Sequence, residues 1–349
     1  MSTPPPGSPA AGPLAGLRIV ELHAIGPVPF AGQLLLGLGA DVQRISPPTD
    51  PGLGVGMDPR FDLGNLDKRP VALDLKRPED LAQALGIIDA ADVLLEGFRP
   101  GVLERIGLAP DMLLARNPRL VIGRLSGWGT QGPLAARAGH DINYLAMAGI
   151  LHAIGTADTP VPPLNLVADY GGGAMHLTVG VLAQLVRRSI DGRGGVVESS
   201  ILAGSVGLSP LFYGLLAAGL WSTQRVGNLL DGGAPFYRVY ATADGGSVAV
   251  GAIEPKFYAQ LLKVTGLEGE LDAARQNDRA SWPDTAAAFA RRFAQRTRDD
   301  WACAAEGTDA CLSPVLTFLE AAAHPHNLAN ALYRDDPFPR PDRILNFRG

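Results

Sequence analysis

Through the first half of the chain, short apolar runs alternate with longer stretches whose apolar residues recur at helical spacing. Leu17–Leu22, interrupted only by Arg18 and Glu21, reads as a buried strand. Pro29–Leu38 then reads as a helix and Asp41–Ile45 as the next strand. Val71–Leu75 predicts another strand, followed by a helix that opens on Pro78, Glu79 and Asp80, with proline and acid in its first turn. Ala91–Leu95 and Leu120–Leu125 complete the set. This alternation predicts an α/β fold, a Rossmann-like, mainly parallel sheet with helices on both faces. Ligands of such sheets bind beyond the carboxyl ends of the strands.

Further along, the pattern changes. Tyr237–Tyr240 and Ser247–Val250 predict a hairpin about the Asp244, Gly245, Gly246 turn. Helical spacing follows at Pro255–Thr265, Trp282–Arg296 and Asp299–Ala305, so a small α+β domain is expected. The expected organisation is a disordered tail (1–13), a large α/β domain (14–200), linker helices (201–232), the small domain (233–308) and a return segment packing on the large domain (309–349). Between the domains, Ile201–Trp221 carries no charged residue. Its glycines, serines and Pro210 favour a buried helix or helix pair at a domain or subunit interface over a membrane span.

Composition narrows the function classes. A chain of 349 residues that is 46% hydrophobic and 19% charged is long enough for one large and one smaller core. With 30 basic against 35 acidic residues, the formal net charge of −5 argues against a general nucleic-acid binder. A local basic patch for a phosphate-bearing ligand remains compatible with it. Cys303 and Cys311 have no metal or disulfide spacing and suit a reducing cytoplasm. The start of the chain lacks the basic and apolar regions of a signal peptide. Gly52–Gly56 only superficially resembles a dinucleotide fingerprint, and Ser126 lacks the glycine two positions before it that a nucleophile elbow needs.

The candidate chemistry lies in two glycine-flanked groups, His140 in Gly139–Tyr144 and Asp169 ahead of Gly171, Gly172 and Gly173. Two unlike bases on opposite sides of one carbon can remove a proton from one face and return one to the other. Asp169 is also placed to cap the helix that the glycines begin, where backbone N–H groups gather and an enolate oxygen would be stabilised. Asp141 is expected to support its neighbour. His23, His152 and His176 fall in apolar patterns and are expected in the core or an interface; His324 and His326 lack metal-ligand spacing, so no metal site is expected.

With these blocks in order, the chain resembles the α-methylacyl-CoA racemases of the class III (formyl-CoA transferase-like) CoA-transferase superfamily. The resemblance rests on residues 16–22, 38–42, 96–102, 139–144, 162–167, 230–235, 250–255, 309–311 and 314–316. It implies an interlocked homodimer and racemisation of 2-methylacyl-CoA thioesters through an enolate. His140, helped by Glu254, would work on one face and Asp169 on the other, with no cofactor beyond the CoA of the substrate. It further implies that Arg99, Arg105, Lys76 and the Gly97 and Phe98 backbone hold CoA, and that Tyr144 lines the site. No nucleic acid or membrane insertion is implied. The alternatives are a CoA transferase with Asp169 as nucleophile, or a relative repurposed for a different substrate, with or without CoA. Two departures bear on ligand fit: relatives often carry glycine where this chain has Val28, expected to narrow the ligand space, and arginine where it has Pro47.

Overall fold

A computed structural model describes residues 12–49, 51–335, 338–342, 345 and 347; most of the expected tail lies outside the described residues. Six strands form one parallel sheet: β1 (Arg18–Leu22), β2 (Asp41–Ser46), β3 (Arg69–Ala72), β4 (Val93–Glu96), β5 (Val121–Ser126) and β6 (Gly195–Ser200). Their order is β3-β2-β1-β4-β5-β6. Central strands are buried on both faces. Ile19, Val93 and Val121 enter one hydrophobic core, whereas Val20, Leu94 and Ile122 enter another. A strand covered on both sides shows a nearly continuous apolar run, which is why β1, β4 and β5 are legible in the sequence. The edge strand β6 buries only Ser200 and lacks that signal.

The strand order reverses between β1 and β4. In parallel sheets this switch point leaves a crevice at the carboxyl ends, here between the loop 23–26 and the loop 97–101.

The larger compact unit comprises the described residues of Met1–Leu151, Pro162–Pro210 and Leu345–Gly349. The smaller takes those of His152–Val161 and Leu211–Ile344. In the smaller unit β7 (Tyr237–Ala241), β8 (Ser247–Gly251) and β9 (Leu312–Pro314) form an antiparallel sheet. Phe236, Tyr240, Tyr258, Phe289, Phe293 and Trp301 fill its core. The expectation that 309–349 returns to the large domain holds only for its end: the described residues of Leu345–Gly349 join the larger unit, and those before them belong to the smaller. β9 completes the free edge of β8, with Leu312 opposite Val250, and Leu312 buries in the small core. The segment 152–161, expected in the large domain, also belongs to the smaller unit. Arg225 fastens it by donating to the carbonyls of His152 (3.1 Å), Thr156 (2.7 Å) and Ala157 (3.2 Å).

The uncharged segment forms two short helices, Ile201–Gly207 and Pro210–Ala217. The first buries Ile201, Gly204 and Ser205. The second buries no side chain within the single chain. Among the described residues no helix is long and apolar enough to cross a membrane.

Candidate active site

Asp169 lies in the first turn of a π-type helix, Val167–Met175, which runs directly into the helix His176–Asp191. Gly171, Gly172 and Gly173 therefore sit inside the helical stretch instead of starting it. The reason is close packing. A Cβ on Gly204 would lie 1.8 Å from the Gly172 carbonyl oxygen, so this helix and Ile201–Gly207 meet backbone to backbone. Wide π turns of this kind recur at functional sites. The carboxylate faces the crevice, where its Oδ2 lies 3.2 Å from the position of a Cβ on Gly26. Gly26 has φ +69° and caps the helix Pro27–Gly37, so a side chain there would be strained and would crowd Asp169.

His140 is the N-cap residue of the helix Asp141–Met147, and its backbone N–H donates to Asn143 Oδ1 at 3.0 Å. The imidazole is exposed. Asp141 turns inward and is 8% exposed. Its Oδ2 accepts from the backbone N–H of Asp169 at 2.8 Å and of Ala168 at 3.1 Å. The residue beside the histidine thus holds the backbone of the residue that carries the second carboxylate. Gly139 is required by Trp128, whose ring carbon would lie 2.7 Å from a Cβ at that position.

Burial first, and then the nearby Asp141 charge, raise the Asp169 pKa from 3.8 to about 6, against a smaller lowering by the Asn165 side chain. Asp141 is itself raised by burial, opposed by the two amides it binds. Because Asp141 is one of the groups pushing Asp169 upward, Asp141→Asn should move the Asp169 titration to lower pH. The low-pH limb of the pH–rate profile is expected to follow, and an unmoved limb would show that the two carboxyls do not communicate.

Tyr144, expected to line the site, is 5% exposed and donates its hydroxyl to the Gly139 carbonyl at 2.7 Å. It also packs edge-on against Trp128 at 4.7 Å. Burial, with Asp169 adding to it, pushes the phenol up to about 12. Its visible work is to shape the turn that presents His140.

The residues expected to hold CoA divide. Gly97, Phe98 and Arg99 form the loop after β4, on the crevice, and Arg105 reaches back so that its Nη1 lies 3.1 Å from the Cβ position of Gly101. Arg99 is exposed and close enough to Tyr144 to act on its phenol. Lys76 follows β3 and is exposed, its backbone N–H donating to Asp74 Oδ1 at 3.1 Å. The predicted narrowing by Val28 is corrected: Val28 is 1% exposed, in the core, with Cγ2 2.8 Å from the Cβ position of Gly97. It packs under the loop instead of projecting into the ligand space.

Glu254 belongs to the smaller unit, as the exposed N-cap residue of Pro255–Thr265. The turn that carries it is held by Gln276, whose side-chain amide donates to the carbonyls of Ala252 (3.1 Å) and Ile253 (2.8 Å). Nothing in the sequence around Gln276 signals this. Two further groups escaped sequence reasoning, the Glu96–Arg124 pair and the Glu21–Lys68 pair; each acid ends or interrupts a strand pattern, and its partner is distant in sequence.

Fold and site together define an α/β protein with a doubly wound parallel sheet, in which a histidine and a half-buried carboxyl are linked through Asp141. The chain belongs to CoA-transferase family III, which it matches over residues 14–347. It is 46% identical to the mouse α-methylacyl-CoA racemase and 40% identical to the human one. Each alignment covers 95% of this chain and 86% of the relative. Succinyl-CoA–D-citramalate CoA-transferase of Chloroflexus aurantiacus is 32% identical over 73% of this chain and 65% of its own length. Among solved structures, a CAIB/BAIF family protein from Brucella suis superposes with a TM-score of 0.78 at 26% identity, covering 96% of this chain and 93% of that one.

Proposed function

We propose that the protein is a racemase of 2-methylacyl-CoA thioesters that works by proton transfer through an enolate. The observation that carries this reading is the bridge from His140 through Asp141 to Asp169. It ties a histidine and a carboxyl titrating at about 6 into one stretch of structure. A carboxyl in that range exchanges protons readily near neutrality, as general acid–base catalysis requires. The thioester acidifies the α-carbon, so side-chain bases suffice. In one direction the Asp169 carboxylate takes the α-proton and the His140 imidazolium returns one on the other face; in the other direction the roles reverse. Glu254 is assigned to steadying the imidazolium, and Arg99, Arg105, Lys76 and the Gly97–Phe98 backbone to CoA.

The names of the mouse and human relatives support this substrate class. An interlocked homodimer belongs to the same proposal. It would cover apolar side chains exposed in the single chain, including Val179, Val186, Ile190 and Leu211. A cytoplasmic setting, in keeping with the free thiols of Cys303 and Cys311, also belongs to it.

The test is incubation of one epimer of a 2-methylacyl-CoA in D₂O. Deuterium at the α-carbon with loss of stereochemical purity is expected. No deuterium, together with an Asp169 hydroxamate formed in hydroxylamine, would transfer the assignment to a CoA transferase acting through an Asp169 anhydride.

A further inference from the structure

The loop 97–101 is braced from below by a group of charges that the proposed reaction does not use. Glu96, the last residue of β4, is 1% exposed. Its Oε1 accepts from Arg124 Nε at 2.7 Å, and its Oε2 accepts from the backbone N–H of Phe98, also at 2.7 Å. Arg124 lies directly opposite on β5, and Glu198 lies opposite Arg124 on β6. Arg124 also meets Glu104 at 3.0 Å and Glu198 at 3.3 Å, both more exposed than Glu96.

Three carboxylates thus surround one guanidinium, yet only Glu96 reaches the loop. A buried carboxylate is costly unless its oxygens are occupied, and here one oxygen is occupied by a cation and the other by a backbone amide. That amide belongs to the turn at which the chain leaves β4 for the switch-point crevice. Underneath, Val28 Cγ2 fills the space beside Gly97, so the loop is held by a contact from each side. Preformed backbone of this kind lowers the ordering cost of binding.

We propose that Glu96 and Arg124 are positioning residues that hold the Gly97–Arg99 backbone in the shape that receives the nucleotide end of the CoA thioester. This rests on the CoA-thioester reading above. The pair touches neither the reacting carbon nor the acid–base groups, and its effect should fall on nucleotide binding and not on proton transfer.

Glu96→Gln keeps the size and one acceptor but removes the charge that serves both partners. Compared with wild type, its affinity for CoA alone should fall about tenfold, the scale of one charge-assisted hydrogen bond. KM for a 2-methylacyl-CoA should rise in parallel, with kcat within about twofold. A short N-acetylcysteamine thioester, which lacks the nucleotide, should be turned over equally by both proteins. Glu198→Gln removes a carboxylate from the same arginine without touching the loop, and should bind CoA like wild type.

Equal losses with Glu96→Gln and Glu198→Gln, or an equal loss on the short thioester, would overturn the proposal in favour of a structural role. Unchanged CoA affinity in Glu96→Gln would overturn it outright. Hydrogen exchange on the wild-type protein supplies an arm that needs no variant: the Phe98 amide should be protected before CoA is added, and protection that arises only with CoA is contrary to the proposal. Should the wild type bind no CoA and exchange no α-proton, the underlying functional reading fails instead, and the two failures are distinct.

Discussion

Asp169→Asn should lower racemisation by about 10²–10⁴-fold, the range supplied by a positioned general acid–base group, while leaving CoA affinity intact. The same substitution should make the fold more stable at neutral pH. Asp169 has its pKa raised from 3.8 to about 6, chiefly by burial, so the folded protein binds that proton more tightly than the unfolded chain. Stability associated with the protonated carboxyl is fully present below 3.8 and is lost as pH rises through about 6. An amide carries no such cost. The gain of Asp169→Asn in thermal midpoint should therefore be complete above that window and vanish toward its acid end. Opposite movements of activity and stability are the sign of a charge kept for function. A midpoint that falls at neutral pH would mean that the ionised carboxylate is structural. His140→Ala should cost a similar factor in rate with little change in stability, because the imidazole is exposed.

Lys68→Met should cost about 3–5 kcal/mol of stability, the penalty for stranding one member of a buried ion pair. Lys68 Nζ donates to Glu21 Oε2 at 2.6 Å, to the Pro29 carbonyl at 2.8 Å and to Asn65 Oδ1 at 3.1 Å. The two side chains are 1% and 0% exposed, and Gly32 leaves the room they occupy, since a Cβ there would fall 2.0 Å from Glu21 Oε2. Burial raises the Glu21 pKa and lowers that of Lys68, in each case against the attraction of the partner. Without Lys68 the Glu21 carboxyl moves further upward, so the loss should shrink in mild acid, where Glu21 takes up a proton. Urea unfolding of wild type and Lys68→Met near neutrality and in mild acid measures both. Adding Glu21→Gln should recover part of the loss, and no recovery would mean that Lys68 acts through Pro29 and Asn65 alone.

The distribution of what was legible follows burial. Strands β1, β4 and β5 were visible because their covered residues form compact apolar runs, and Pro255–Thr265 because one face of it enters the small core. The edge strands β6 and β9 were not. β6 has only two adjacent valines among glycine, glutamate and serines, and β9 is three residues long, so its pairing with β8 has no local signature. The same holds within the site. His140 and Asp169 stand out by type and glycine context, but Asp141 looks like a mere neighbour until its oxygen is seen on the amide of Asp169. Val28 looked like an obstruction because sequence gives the size of a side chain and not its direction.

By itself, the amino-acid sequence determined the α/β class, the alternation that builds the parallel sheet, and the residue types able to move a proton at a thioester α-carbon. Those properties are set by local periodicity and by the chemistry of single side chains. Only the tertiary structure decided the order β3-β2-β1-β4-β5-β6, the crevice at its reversal, the inward turn of Asp141 and the bracing of the Phe98 amide by Glu96. It also assigned residues 152–161 and the strand β9 to the smaller unit. Apart from the two-residue reach of Glu96 to the Phe98 amide, itself anchored on distant Arg124, these depend on groups far apart in the chain meeting across a buried, weakly screened space. The energies there come from satisfying a particular amide or charge, and no local pattern encodes which partner will arrive.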